Sequence, residues 1–176
     1  MSYSKEAIKK AISEKMVSFL GKQVSEEFTL KIIADELGIT VPTIYNYFYN
    51  KEDVVESGYC TVLKEIENCL DSKFPKSISH DVQIKVCLMK IADYFLDKDI
   101  PAAWLVNDPP STRCTFEPMR AKLSKMFALY LKVKEEEALH ATYRHLSLLQ
   151  GEIAYSRQMG KRLSDDAVEK IFEILK

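Results

Sequence analysis

The residues best suited to chemistry lie in one short stretch, 29–53, TLKIIADELGITVPTIYNYFYNKED. Ala34 is small where the two helices of a helix-turn-helix must approach. Gly38, four positions on, suits the unusual backbone conformation of the turn. Ile33, Leu37, Ile39 and Ile44 fall at inward-facing positions. The outer face of the second helix then presents Val41, Pro42, Thr43, Tyr45, Asn46 and Tyr47. Hydroxyl, amide, aromatic and apolar groups of this kind can meet base edges, thymine methyls and phosphates of double-stranded DNA. Tyr45 has a second reading, packing between helices, and Asn46 and Tyr49 stay open between contact and solvent. Lys51 stands beside a helix N-terminus, a place that suits a phosphate, although an ordinary solvated charge is the alternative.

The elements that must position these groups are helices. Only five glycines occur among 176 residues, and the apolar spacing is helical nearly throughout. Ile8, Ala11, Ile12, Met16, Phe19 and Leu20 mark one face of a first helix that stops at Gly21. A second helix runs from Thr29, a suitable N-cap, to Leu37, with Gly38 after its end. A third begins near Val41, with Thr40 as cap and Pro42 tolerated in the first turn. Asn50 caps a fourth, and Glu52 and Asp53 favour its positive end. Val55, Tyr59, Val62, Leu63, Ile66 and Leu70 continue it to about Phe74. Further helices are expected from Ser79 to about Lys98 (apolar almost all round, hence central), around Met119–Tyr130, from Glu135 to about Met159, and from Asp165 to Leu175 behind a Ser164 cap. Pro101, Pro109, Pro110 and Pro118 break the chain between them.

Composition narrows the function classes. No apolar run reaches the ~18 residues of a membrane span, and charged residues interrupt the first twenty, which rules against a signal peptide. The chain reads as cytoplasmic. Cys60, Cys69, Cys87 and Cys114 are widely spaced and are expected as small buried hydrophobes in a reducing compartment. No metal site or cofactor is expected, since the cysteines form no close pairs and His140 and His145 do not stack as an i,i+4 pair. No P-loop, G-x-G-x-x-G, H-E-x-x-H or nucleophile elbow occurs, so no enzymatic activity is expected. Net charge is −1. The first 51 residues hold seven lysines and six acids, hence +1. Affinity for DNA must therefore come from local placement of lysines, not from a broad basic field.

The stretch resembles the signature of the TetR family of bacterial repressors. Thr29, Ile33, Ala34, Leu37, Gly38, Ile39, Thr40, Pro42, Thr43, Ile44, Tyr45, Phe48, Lys51 and Val54 supply the agreement in one ungapped run. The resemblance extends to the preceding helix and the all-helical organisation, but not to the identities of residues 75–176. It implies an all-α fold: a three-helix DNA-binding domain at 1–50 and a helical ligand-binding and dimerisation domain at 51–176. It implies base or phosphate contacts for Pro42, Thr43, Tyr45 and Tyr47, a phosphate grip for Lys51, a DNA-touching helix cap at Thr29, and an inward Phe48. With their neighbours Thr40, Val41 and Asn46 these make the candidate contact set. The recognition helix departs from the family in having Val41 at its tip and no arginine.

The same resemblance implies a homodimer through the last two helices and a small-molecule effector. Gly151 lies mid-helix at a cost of about 1 kcal/mol against alanine, which a close helix approach would explain, with Ala141 and Ala154 as further small positions. Val168, Ile171, Phe172 and Leu175 give the final helix an apolar stripe expected to need a partner. Met89, Tyr94, Trp104, Met119, Met126, Phe127, Tyr143 and Tyr155 are candidate cavity walls, with plain core as the alternative. Arg113, Arg144 and His145 are candidates for an anionic ligand or for the surface. The expected function is a ligand-responsive repressor on a palindromic operator. Control by a protein partner without a small effector, or activation, is the alternative.

Overall fold

The computed structural model describes residues 4–21 and 29–174. Among these the chain forms α1 (Lys5–Leu20), α2 (Leu30–Leu37), α3 (Val41–Tyr45), α4 (Lys51–Leu70), α5 (His80–Asp97), a 3-10 turn (Ala102–Leu105), α6 (Glu117–Leu131), α7 (Glu135–Gln158) and α8 (Asp165–Ile174). The fold is all-α, as the apolar spacing requires. No helix among the described residues is long and apolar enough to cross a membrane.

Helix starts follow local chemistry. The hydroxyls of Ser4 and Ser164 accept from the backbone N–H groups of Ala7 and Ala167, each at 3.2 Å, satisfying donors that the first turn leaves without partners. Ile12, Met16, Val17 and Leu20 form the buried face of α1, which packs along α4. The approach is close. A Cβ on Gly58 of α4 would lie 2.7 Å from Met16 Cγ, so any larger residue there would force the Met16 side chain to shift. The division expected at residue 50 falls where α4 begins. Since α1 packs on α4, elements on both sides of residue 50 pack together there.

Helix α5 is central, packing against α4, α6, α7 and α8 and burying Ile84, Cys87, Leu88, Ile91, Ala92 and Phe95. Its C-terminal end is held by Arg157 of α7, which donates to the carbonyls of Phe95 (3.0 Å) and Ile100 (2.7 Å) and pairs with Asp99. This satisfies terminal carbonyls with a cation at the negative end of the helix dipole.

Two expectations fail in the body. The stripe Val168, Ile171 and Phe172 was expected to need a partner, but all three are buried within the chain. Phe172 stacks on Phe127 and meets Tyr130 and His145. Helix α8 folds back onto α5 and α7, and that covers it. Leu175 lies outside the described residues. His145, a candidate for an anionic ligand, is buried, and that burial holds its imidazole below the ordinary range, favouring the neutral ring; Nδ1 lies 2.7 Å from the carbonyl of Ala141.

The cysteines supply the other correction. Cys60 and Cys114 form a disulfide across 54 residues, and Cys60 is exposed instead of buried. Cys69 and Cys87 are free, and burial pushes the Cys87 thiol up to about 11.

Candidate nucleic-acid interface

Helix α2 ends at Gly38, whose φ of 63° and ψ of 32° lie in the left-handed region. A Cβ there would meet nothing within 4 Å, so the requirement for glycine is one of backbone conformation and not of space. The turn is closed by Ile39 N–H donating to Ala34 O at 2.9 Å. Thr40 then caps α3, its Oγ1 accepting from Thr43 N–H at 3.3 Å and lying 2.9 Å from Thr43 Oγ1. Pro42 occupies the first turn, where no N–H is needed.

Three residues fix this unit from below. Ile33 and Ile44 are fully buried and Phe48 nearly so, and Lys9 of α1 lies over the Phe48 ring at 5.4 Å. Helix α3 has only five residues, shorter than the run to Tyr47 read from sequence. Tyr47 sits beyond it, its N–H donating to Ile44 O at 2.9 Å. Thr29, Thr40, Pro42, Tyr45 and Asn46 are exposed; Val41, Thr43, Tyr47 and Lys51 are half-buried. Val41 and Tyr47 lean on the core, so only part of each side chain faces outward. Thr29 occupies the N-cap position of α2, but its hydroxyl makes no capping bond.

Tyr49, left open by sequence between contact and solvent, is strongly exposed. At 92% exposure it projects between the recognition segment and α4. An apolar-polar pattern carries no signal for such a protruding ring. Below it the start of α4 is double-locked: Asn50 Oδ1 accepts from Asp53 N–H at 2.7 Å, and Asp53 accepts from Tyr49 N–H at 3.0 Å. The Tyr49 N–H and the Arg113 guanidinium hold the Asp53 carboxyl below its usual range.

Arg113 was a candidate for an anionic ligand, yet it comes from the loop before α6 to pair with Asp53 at 2.5 Å. One turn along α4, Glu56 is buried and accepts from Ser111 Oγ at 2.5 Å and from Thr112 N–H at 2.8 Å. Burial raises its carboxyl, but these bonds outweigh that and bring it below the ordinary value. The body thus holds α4 close to the proposed DNA face.

The residues expected to wall a cavity occupy different surroundings. Trp104 packs edge-on to Tyr59 and Phe116, and Phe127 lies against His145 and Phe172. Tyr143 bonds Glu117 near the surface, Tyr155 is 59% exposed, and Met119 is fully buried. Tyr94 and Met126 are half-buried. Met89 lines an open groove between α5 and α8.

Comparison with known proteins joins these observations. Residues 25–57 match the family model described as bacterial regulatory proteins, tetR family. No curated protein matches the chain. A tetR-family transcriptional regulator from Streptomyces coelicolor has the same fold, with a TM-score of 0.76 at 13% identity over 98% of this chain and 80% of that one. A TetR transcriptional regulator from Legionella pneumophila aligns with a TM-score of 0.66 at 16% identity, covering 99% and 96%. At these identities the likeness is one of fold. Residues 25–57 thus match the tetR family model, and the chain as a whole shares the fold of solved tetR-family regulators.

Proposed function

We propose that this chain is a TetR-family transcriptional regulator, a cytoplasmic, ligand-responsive repressor that binds a palindromic operator as a homodimer. The observation that carries the reading is the two-sided recognition unit, with Ile44 fully buried and Pro42, Tyr45 and Asn46 exposed beside it. In this reading residues 1–50 are the DNA-binding head and 51–176 the regulatory and dimerising body. Thr40, Val41, Pro42, Thr43, Tyr45, Asn46 and Tyr47 enter the major groove, while Thr29 and Lys51 meet phosphates. Variants separate the two roles. Lys51→Ala is expected to weaken binding to all sequences alike and to flatten the salt slope by about one unit. Tyr47→Ala is expected to relax preference at particular base pairs by ~1–3 kcal/mol. Binding measured across salt concentrations and operator variants checks both. A changed sequence preference with Lys51→Ala alone would refute this docking.

Support for the dimer comes from the outer face of α7, since α8 spends its stripe inside the chain. Gly151, Ala154 and Tyr155 are exposed there, and a Cβ on Gly151 would meet nothing within 4 Å of its own chain. Gly151→Ala is expected to stabilise an isolated subunit by about 1 kcal/mol. Gly151→Trp is expected to convert a sedimenting dimer to monomer. A wild-type monomer at micromolar concentration would defeat the dimer. A two-fold dimer would place half-sites about 34–36 Å apart, or a multiple of this. The α5–α8 groove, about 420 Å³ and lined by Val82, Met89 and Val168 together with Lys85, is of a size to take a small effector.

A further inference from the structure

Three successive turns of α4 present Asp53, Glu56 and Cys60 to one short segment, Ser111–Cys114. Every residue of that segment is engaged: Ser111 and Thr112 with Glu56, Arg113 with Asp53, and Cys114 with Cys60 through the disulfide. The segment is rooted in the body immediately beyond, where Asp108 accepts from Phe116 N–H and from Arg120, both near 2.8 Å. One covalent bond therefore ties the body to the helix that begins beside the recognition unit.

The two cysteines differ in exposure. Cys114 is 7% exposed, whereas Cys60 is exposed and lines an open groove of about 530 Å³ between α1 and α4. Lys9, Lys10 and Lys64 line that groove with Glu6, Glu14 and Glu65, so it does not repel an approaching anionic thiolate. A DNA-binding protein works beside DNA in a compartment kept reducing, where disulfides are mostly transient and regulatory.

We propose that Cys60–Cys114 is a thiol-exchange site, through which a low-molecular-weight thiol and its disulfide set the hold of segment 111–114 on α4 and so the affinity for DNA. The DNA arm and the reducing surroundings rest on the regulator reading; the exposure of Cys60 does not. A small thiolate attacks Cys60 Sγ, the protein S–S bond breaks, and Cys114 leaves as thiolate. A second small thiolate attacks the small-molecule sulfur of the mixed disulfide on Cys60, forming the small disulfide as the Cys60 thiolate leaves. Two electrons pass from the small thiols to the protein, and both cysteines take up protons. Oxidation by the small disulfide is the reverse. Reduction leaves the Asp53 and Glu56 bonds to hold the segment unaided.

The test uses glutathione and its disulfide on the full chain. As their ratio is varied, Cys60 and Cys114 are expected to interchange between protected and alkylatable, with peptide mass mapping separating them from Cys69 and Cys87. Cys114→Ser should trap glutathione on Cys60, and Cys60→Ser should leave Cys114 unmodified. Amide exchange over 111–114 should speed up by about tenfold or more on reduction. Operator affinity of the oxidised and reduced protein should differ by roughly 5-fold or more. A disulfide that resists millimolar glutathione, trapping on Cys114 in place of Cys60, or unchanged amide exchange overturns the exchange site. Exchange with identical operator affinities overturns the coupling to DNA. A chain that binds no DNA in either state defeats the regulator reading and, with it, the DNA arm, while the labelling result still decides the exchange site.

Discussion

Asp108→Ala is expected to lower the free energy of unfolding by about 3 kcal/mol, the cost of leaving a buried charge short of its partner. Arg120 is 2% exposed, yet it is one of the largest buried side chains in the body. Its NH2 donates to Asp108 at 2.7 Å and to Glu117 at 3.2 Å, and the guanidinium lies 5.8 Å from the Tyr143 ring centre. Asp108 also accepts from Thr115 Oγ1 and Phe116 N–H, each at 2.8 Å, so its removal takes away three accepted bonds at once. Glu117 retains a share of the charge pairing, which keeps the loss at the lower end of the range for broken buried pairs. Replacing Arg120 with Met as well should recover most of the loss, because the uncompensated charge goes with it. Urea unfolding read by the fluorescence of Trp104, the single tryptophan, measures both variants, and its ring packs on Phe116 within the affected region. Equal losses in the single and double variants would contradict the charge argument.

The same carboxylate has a pH signature. Burial raises the Asp108 carboxyl, but bonds from Phe116 N–H, Arg120 and Thr115 outweigh it and place the folded value below the ordinary 3.8. Between those two values the unfolded chain binds more protons than the folded one, so stability falls as pH falls. The contribution is complete above the unfolded value and is lost as pH drops through the folded one. Wild type should therefore lose more stability than Asp108→Ala on acidification below about pH 4.

Ile44→Ala should cost about 2–5 kcal/mol and abolish operator binding. Ile44 is the buried anchor of a five-residue helix, and such a helix cannot persist on propensity alone. Without the anchor, the Thr40 cap is left to hold α3 against the core. The neighbouring Tyr45 makes the contrast. It is 49% exposed, so Tyr45→Ala should change stability by no more than about 0.5 kcal/mol while weakening operator binding by ~1–3 kcal/mol. Thermal unfolding and operator binding, measured on both variants, separate support from recognition. If Tyr45→Ala destabilises as Ile44→Ala does, Tyr45 is a packing residue and its place in the contact face is lost.

Much of the recognition unit was legible in sequence because its determinants are local. Gly38 answers a backbone angle at its own position, and Thr40 and Asn50 cap donors three residues away. Ile33 and Ile44 follow from the helical period and the turn between them. The body was legible only as a set of helices. The apolar stripe of α8 was visible, but not that α7 and α5 would cover it, because a stripe specifies a need for burial and not the surface that meets it. Cys60 and Cys114 are 54 residues apart, and Arg113 reaches Asp53 across 60; neither pairing has a period to reveal it. Glu56 and Arg120 carry no signal of their own in sequence; their partners come from the segment 108–117. Hydrogen bonds within a helical turn are set by neighbours along the chain, so sequence determines them. Which distant charges and thiols meet depends on how whole helices pack, and that is decided only in the tertiary structure.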